Sequence, residues 1–109
     1  MKPLEGYRVL DLSNVLSGPF CGCQLAHLGA EVIKIEVPNR GDLARQLGLD
    51  VELNQKLMGA TFLAQNSGKR SITINLKSEE GVAVFKRLVT TADVIVENFR
   101  PGVMDRLGV

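Results

Sequence analysis

The sequence predicts an α/β fold, a Rossmann-like and mainly parallel sheet with helices flanking its faces. Three observations carry that prediction. Short apolar or β-branched runs recur at Arg8–Leu12, Glu31–Glu36, Arg70–Leu76 and Asp93–Glu97. Stretches with helical spacing lie between most of them, and glycine or proline punctuates the changes. Strands separated by helices are joined by crossovers, which imply parallel pairing with helices on the faces.

Each element has a local reason. Arg8-Val9-Leu10-Asp11-Leu12 is a compact run after a glycine, the mark of a buried strand. Asn14 to Gly18 form a loop, and Pro19 suits the first turn of a helix, where its missing N–H is not needed. Cys21, Leu25 and Leu28 recur at helical spacing, which assigns Cys21 to the core, and Gly29 is placed for a left-handed C-cap. Glu31–Glu36 is a second strand ending at Val37-Pro38. From Asn39 to Gln65 the signal weakens into a connecting excursion, with short helical spacings at Leu43–Leu47 and Leu53–Leu57. Asn66-Ser67-Gly68-Lys69 is a turn. Arg70–Leu76 alternates polar and apolar residues, as a strand with one open face does. Ser78 is a good N-cap, with Glu79 and Glu80 in the first turn. Val82, Phe85, Leu88, Val89 and Ala92 then form one apolar stripe. Asp93–Glu97 reads as a buried strand. Pro101 opens a last short helix carrying Val103, Met104 and Leu107, with Gly108 as its cap.

The 109 residues form one small domain, 1–109. A formal net charge of +1 carries no nucleic-acid footprint. No apolar run reaches the roughly 18–20 residues of a bilayer span. Met1-Lys2-Pro3-Leu4-Glu5-Gly6 has no apolar segment behind its lysine, so a cytoplasmic protein is expected, or a mitochondrial one if a presequence was removed. Cys21 and Cys23 sit too close for an ordinary disulfide, which fits a reducing compartment. Cys23 and His27 share a helix face, but zinc needs three or four ligands and no further Cys or His exists, so no metal is expected.

In parallel sheets ligands gather beyond the carboxyl ends of the strands. That rule singles out Asn14–Gly18, Val37–Asp42 and Asn98–Gly102. Ser13-Asn14-Val15-Leu16-Ser17-Gly18-Pro19 offers backbone N–H groups and glycine, which suit a phosphate as well as a plain tight turn. It is neither G-x-G-x-x-G nor a P-loop. Lys69-Arg70 and Lys77 bracket one strand, either as phosphate-binding cations or as solvated charges. Glu97-Asn98-Phe99-Arg100-Pro101-Gly102 offers an amide, a ring and a guanidinium, with Arg106 beyond. The amide and ring suit a purine and the arginines suit phosphates; equally, Phe99 suits the core and Arg106 the helix C-terminus.

These words, in this order, resemble one family. Leu4-Glu5-Gly6, Val9-Leu10-Asp11, Ser17-Gly18-Pro19 and Leu28-Gly29-Ala30-Glu31-Val32-Ile33-Lys34-Ile35-Glu36 closely resemble the opening of family III CoA-transferases. The resemblance continues through Gly41-Asp42, Lys69-Arg70-Ser71-Ile72 and Ala92-Asp93-Val94-Ile95-Val96-Glu97-Asn98-Phe99-Arg100-Pro101-Gly102. This family includes formyl-CoA transferase, carnitine CoA-transferases and α-methylacyl-CoA racemase. The resemblance implies an incomplete N-terminal part of a larger interlaced homodimer. It implies acyl-CoA and a carboxylic acid as substrates, with coenzyme A as substrate and no separate cofactor. CoA contacts are then expected at Leu16, Ser17, Asn75, Leu76, Lys77, Asn98, Phe99, Arg100 and Arg106. Val37 stands where formyl-CoA transferase has an arginine on CoA, and Arg40 is the nearby cation available to substitute. None of Asp11, Asp42, Asp93 or Asp105 matches the family's attacking aspartate, so no catalytic residue is expected in this chain and none of its own turnover. Racemase chemistry, and a non-catalytic fragment or nucleotide-binding module, are the competing expectations.

Overall fold

The computed structural model describes all 109 residues. Its core is one parallel sheet of four strands in the order β3-β2-β1-β4. The strands are β1 (Arg8–Asp11), β2 (Glu31–Glu36), β3 (Arg70–Thr73) and β4 (Val94–Val96). Leu10 pairs with Ile33 on one side and Ile95 on the other. The helices are α1 (Ser17–His27), α2 (Val51–Gln55), α3 (Ala60–Gln65), α4 (Glu79–Val89) and α5 (Val103–Leu107), with a 3-10 turn at Leu43–Gln46.

The side-chain alternation of β1 and β2 divides the core between two faces. Val9 and Val32 point to one face, where Ala30 and the α1 residues Leu25 and Ala26 close over them. Leu10, Leu12 and Ile35 point to the other, where they meet Ile74 and Phe85, with Val84 and Leu88 of α4 beside them. Phe85, Leu88, Val89 and Ala92 behave as the sequence stripe requires. Ser78 caps α4 by accepting from the Gly81 N–H at 3.0 Å. Gly29 and Gly108 both adopt left-handed backbone (φ 107° and 77°) and end their helices as expected.

Four expectations are corrected. Cys21 is exposed, and α1 buries Gly18, Pro19, Gly22 and Cys23 instead. The reason is distance: a Cβ on Gly18 would sit 2.2 Å from Ser13 Cβ, and one on Gly22 would sit 2.9 Å from Asp11 Oδ2. The helix docks by its small residues, so Phe20 faces outward and Leu25 is only partly covered. Strand β3 stops at Thr73, because the chain leaves the sheet to deliver Asn75–Lys77 to the turn before α4. Strand β4 is not buried, since nothing pairs with its outer edge; Val94 and Ile95 remain 42% and 40% exposed. Pro101 precedes α5 rather than opening it, because Gly102, at φ 86°, breaks the chain between them.

The excursion after β2 has a function in the fold. Lys34 and Glu36 share the α1 face with Val32, and strand charges at this depth need partners. Asp42 and Arg45 supply them, and Phe62 of α3 lies under the Arg45 guanidinium at 3.8 Å. Helix α3 itself is not among the sequence-predicted segments.

Candidate functional site

All four strands release their chains at the same end of the sheet, as parallel pairing dictates. A buried ionic layer sets the shape of that edge. Lys34 Nζ lies 2.8 Å from Asp42 Oδ2 and donates to the Ser13 carbonyl at 3.0 Å. Asp42 Oδ1 accepts from the backbone of Val15 and Ala44. The loops after β1 and β2 are thereby tied together. Lys69 Nζ donates to Asp11 Oδ2 at 2.6 Å, to the Pro19 carbonyl at 2.9 Å and to Asn66 Oδ1 at 2.7 Å. Lys69 is therefore a buried strut beneath α1, not a phosphate-receiving cation. Burial pulls its pKa below the ordinary lysine value, opposed by the hydrogen bond and charge of Asp11. Arg70 is exposed and reaches Glu31 at the opposite end of the sheet.

Glu36 anchors the β2 loop. It accepts from Arg45 Nε at 2.7 Å, Arg45 Nη2 at 2.8 Å and the Asp42 N–H at 2.9 Å, and also from the Ser71 hydroxyl. Burial favours the neutral acid, but these donors outweigh it and hold the carboxyl at about 2. The same contact raises Arg45 above its ordinary value.

Two neighbouring cavities open at this edge on the α4 side of the sheet. One, of about 330 Å³, has Leu12, Ile35, Ile74 and Phe99 among its apolar walls, with Asn75, Lys77 and Arg40 among its polar ones. The other, of about 430 Å³, is more open and lies among Lys77, Ser78, Glu79 and Arg106. Leu76, Lys77 and Leu107 line both, so the two form one cleft with an apolar and a polar half. Its size is that of an ordinary small-molecule site.

The cleft unites Asn75, Leu76, Lys77, Phe99 and Arg106 among the sequence-derived candidates. Phe99 packs on the core and also lines the cleft. Lys77 is held at the turn by its own N–H, which donates to Asn75 Oδ1 at 3.0 Å. Leu16, Ser17, Asn98 and Arg100 do not line the cleft. Leu16 and Ser17 are exposed at the start of α1, where no side chain caps the helix. Asn98 is spent on the chain: its Oδ1 accepts from the Asn14 N–H at 3.0 Å and its Nδ2 donates to the Asn14 carbonyl at 2.9 Å. It thus fixes the approach to α1. Arg100 is exposed. Arg40 is the lining cation outside the main candidate set. The signal for the buried layer was present too, in the charges that interrupt the apolar run Glu31–Glu36.

Asp11 and Asp42 are fully buried in ion pairs and cannot reach a bound ligand. Asp93 accepts from the Arg8 N–H at the far end of the sheet. Cys23 Sγ lies 3.6 Å from His27 Nε2, which also meets Ser67 Oγ at 3.0 Å, away from the cleft. No helix is long and apolar enough to cross a membrane.

Comparison with known proteins agrees with the fold. Residues 4–109 match the family model described as CoA-transferase family III. The chain is 47% identical over 111 residues to succinyl-CoA–D-citramalate CoA-transferase of Chloroflexus aurantiacus, covering 98% of this chain and 26% of that one. It is 45% identical over 108 residues to succinyl-CoA:glutarate CoA-transferase of Mus musculus, covering 99% and 24%. The crystal structure of a CAIB/BAIF family protein from Brucella suis superposes with a TM-score of 0.86 at 44% identity, covering 99% of this chain and 29% of that one. The chain spans about a quarter of the length of the curated relatives it matches. With the family model matched over nearly all of its length, the chain belongs to CoA-transferase family III.

Proposed function

We propose that the protein acts in the exchange of coenzyme A between an acyl-CoA thioester and a carboxylic acid, and that residues 1–109 form its CoA-binding segment. The observation that carries this reading is the two-part cleft. Coenzyme A joins a flat adenine to a strongly anionic chain of phosphates. An apolar cavity beside Phe99 and Asn75 suits the ring, and the adjoining cavity between Lys77 and Arg106 suits the phosphates. Leu16 and Ser17 add the open N–H groups at the start of α1, where the helix end favours negative charge. Asn98, Phe99 and Arg100 approach from the loop after β4, and Asn98 also holds that helix start in place.

The exchange needs a carboxylate that attacks the thioester carbonyl. The C–S bond breaks, CoA leaves as thiolate, and the acyl group stays on the enzyme as a mixed anhydride. The family resemblance puts the attacking aspartate in sequence outside these 109 residues, and Asp11 and Asp42 are in any case held in buried pairs. The chain alone is then a binder without turnover, and the working enzyme is a homodimer of longer chains. Two free cysteines fit a reducing compartment, hence a cytoplasmic or mitochondrial enzyme.

The test is calorimetric titration with CoA. Lys77→Ala and Arg106→Ala are each expected to weaken binding about 10-fold, the size of one charge-assisted contact. Both side chains are exposed, so circular dichroism is expected to stay unchanged. Unaltered affinity in both variants defeats the proposed cleft. Measurable acyl-CoA exchange by the verified 109-residue chain defeats the assignment of the nucleophile.

A further inference from the structure

Strand β3 is an edge of the sheet, and all of its residues are exposed. The Ile74 N–H donates to the Glu36 carbonyl at 3.0 Å, which turns the backbone groups of Arg70, Ile72 and Ile74 toward β2. Successive residues of a strand turn their backbone groups to opposite sides, so those of Ser71 and Thr73 point away from the sheet. No hydrogen bond from a turn or loop reaches them. Ser71-Ile72-Thr73-Ile74 also holds neither charge nor proline, the devices that commonly keep an open edge from pairing.

The side chains leave the same edge open. Ile72 is 39% exposed on the α4 face of the sheet. A hollow of about 440 Å³ lies on one side of it, among Arg70, Ile33 and Leu88. Another, of about 300 Å³, lies on the other side, among Ile74, Val84 and Glu80. Helix α4 thus leaves an apolar trough along β3, with a cation at one end and a carboxylate at the other. Arg70 is 80% exposed and makes the longer of the two ion pairs of Glu31, at 3.2 Å. Glu80 makes no ion pair.

We infer that β3 pairs antiparallel with β3 of a second copy of this chain, about a two-fold axis at Ile72, joining two sheets into one. In that register Ser71 lies opposite Thr73 of the partner subunit, and each such pair exchanges both of its backbone hydrogen bonds. Ile72 meets Ile72 of the partner subunit in the closer, non-bonded position, and the two fill the trough. Arg70 lies opposite Ile74 of the partner subunit, whose hollow Glu80 of the partner subunit also lines. The axis repeats that charge match at the other end. A register shifted by one residue sets outward backbone groups against inward ones, and no ladder forms. A parallel copy sets Arg70 beside Arg70 of the partner subunit and leaves like charges together. The inference is independent of the CoA reading, and of the interlaced dimer that the family resemblance implies.

The experiment is sedimentation of the 109-residue chain carrying Ile95→Lys, which closes the β4 edge. A dimer in equilibrium with monomer is expected. Adding Thr73→Pro is expected to leave only monomer with an unchanged circular dichroism spectrum, because the N–H it removes points away from β2. Arg70→Glu and Glu80→Arg are each expected to weaken the dimer roughly 3- to 10-fold, and the two together to restore it. Amide hydrogen exchange reads the backbone directly. Ser71 and Thr73 are expected to exchange slowly in the dimer and fast on dilution, while Ile72 and Ile74 stay slow throughout. A chain with Ile95→Lys that is monomeric at every concentration overturns the inference. So does a dimer that survives Thr73→Pro, a double reversal no tighter than the single ones, or Ser71 and Thr73 amides indifferent to dilution.

Discussion

Lys34 and Asp42 show how little room the site leaves for substitution. Both are almost fully buried, and their contact fixes the loops after β1 and β2. Asp42→Ala strands a buried ammonium and orphans the Val15 N–H, so a loss of roughly 3–5 kcal/mol is expected in urea unfolding. Replacing both partners by apolar residues of similar size is expected to cost less, because no charge is left alone. Glu36 makes the protein acid-sensitive. Its folded pKa of about 2 lies below the ordinary 4.5, so the unfolded chain takes up the proton first. The stabilisation is complete above about pH 4.5 and is lost as pH falls toward 2. The shift corresponds to about 3 kcal/mol at most. Urea midpoints measured at pH 6 and pH 3 are expected to fall for the native chain and to converge for Glu36→Gln.

At the scale of elements, the turn between β3 and α4 carries the cleft. Ser78 caps the helix, and Ser78→Ala is expected to cost about 1 kcal/mol. Gly81 is more constrained, since a Cβ there would lie 1.9 Å from the Asn75 carbonyl oxygen. Gly81→Ala must push the turn outward and carry Asn75–Lys77 with it. Its CoA affinity is expected to fall further than that of Ser78→Ala, measured by the same titration. Helix α1 shows why the sequence signal misled. Gly18 reads as a loop or phosphate-contact glycine, yet it and Gly22 mark close helix-to-strand packing against Ser13 and Asp11. Periodicity placed Cys21 inside because it counts apolar residues and cannot see that a smooth glycine face packs closer than a cysteine face does. The cap at Ser78 was readable because its partner lies one helical turn away, and the stripe on α4 because its period is contained within one helix.

At the scale of the molecule, the sheet is open on both sides. Strands β3 and β4 are its edges, and β4 exposes Val94 and Ile95. An unpaired apolar edge of this kind pairs readily with another chain. The 109-residue chain is expected to sediment as oligomers, and Ile95→Lys to shift it toward monomer, which analytical ultracentrifugation reads directly. An unchanged distribution in Ile95→Lys would place the self-association elsewhere.

By itself, the sequence determined the order of strands and helices outside the excursion after β2, the parallel sheet, the caps and the family. These depend on local periodicity and on short ordered motifs. Only the tertiary structure decided which charges are structural and which are free. Lys69 meets an aspartate 58 positions away, while Lys77 and Arg40 meet none and line one cleft. Charge pairing across such separations is settled by which strands lie side by side, and composition along the chain carries no record of that.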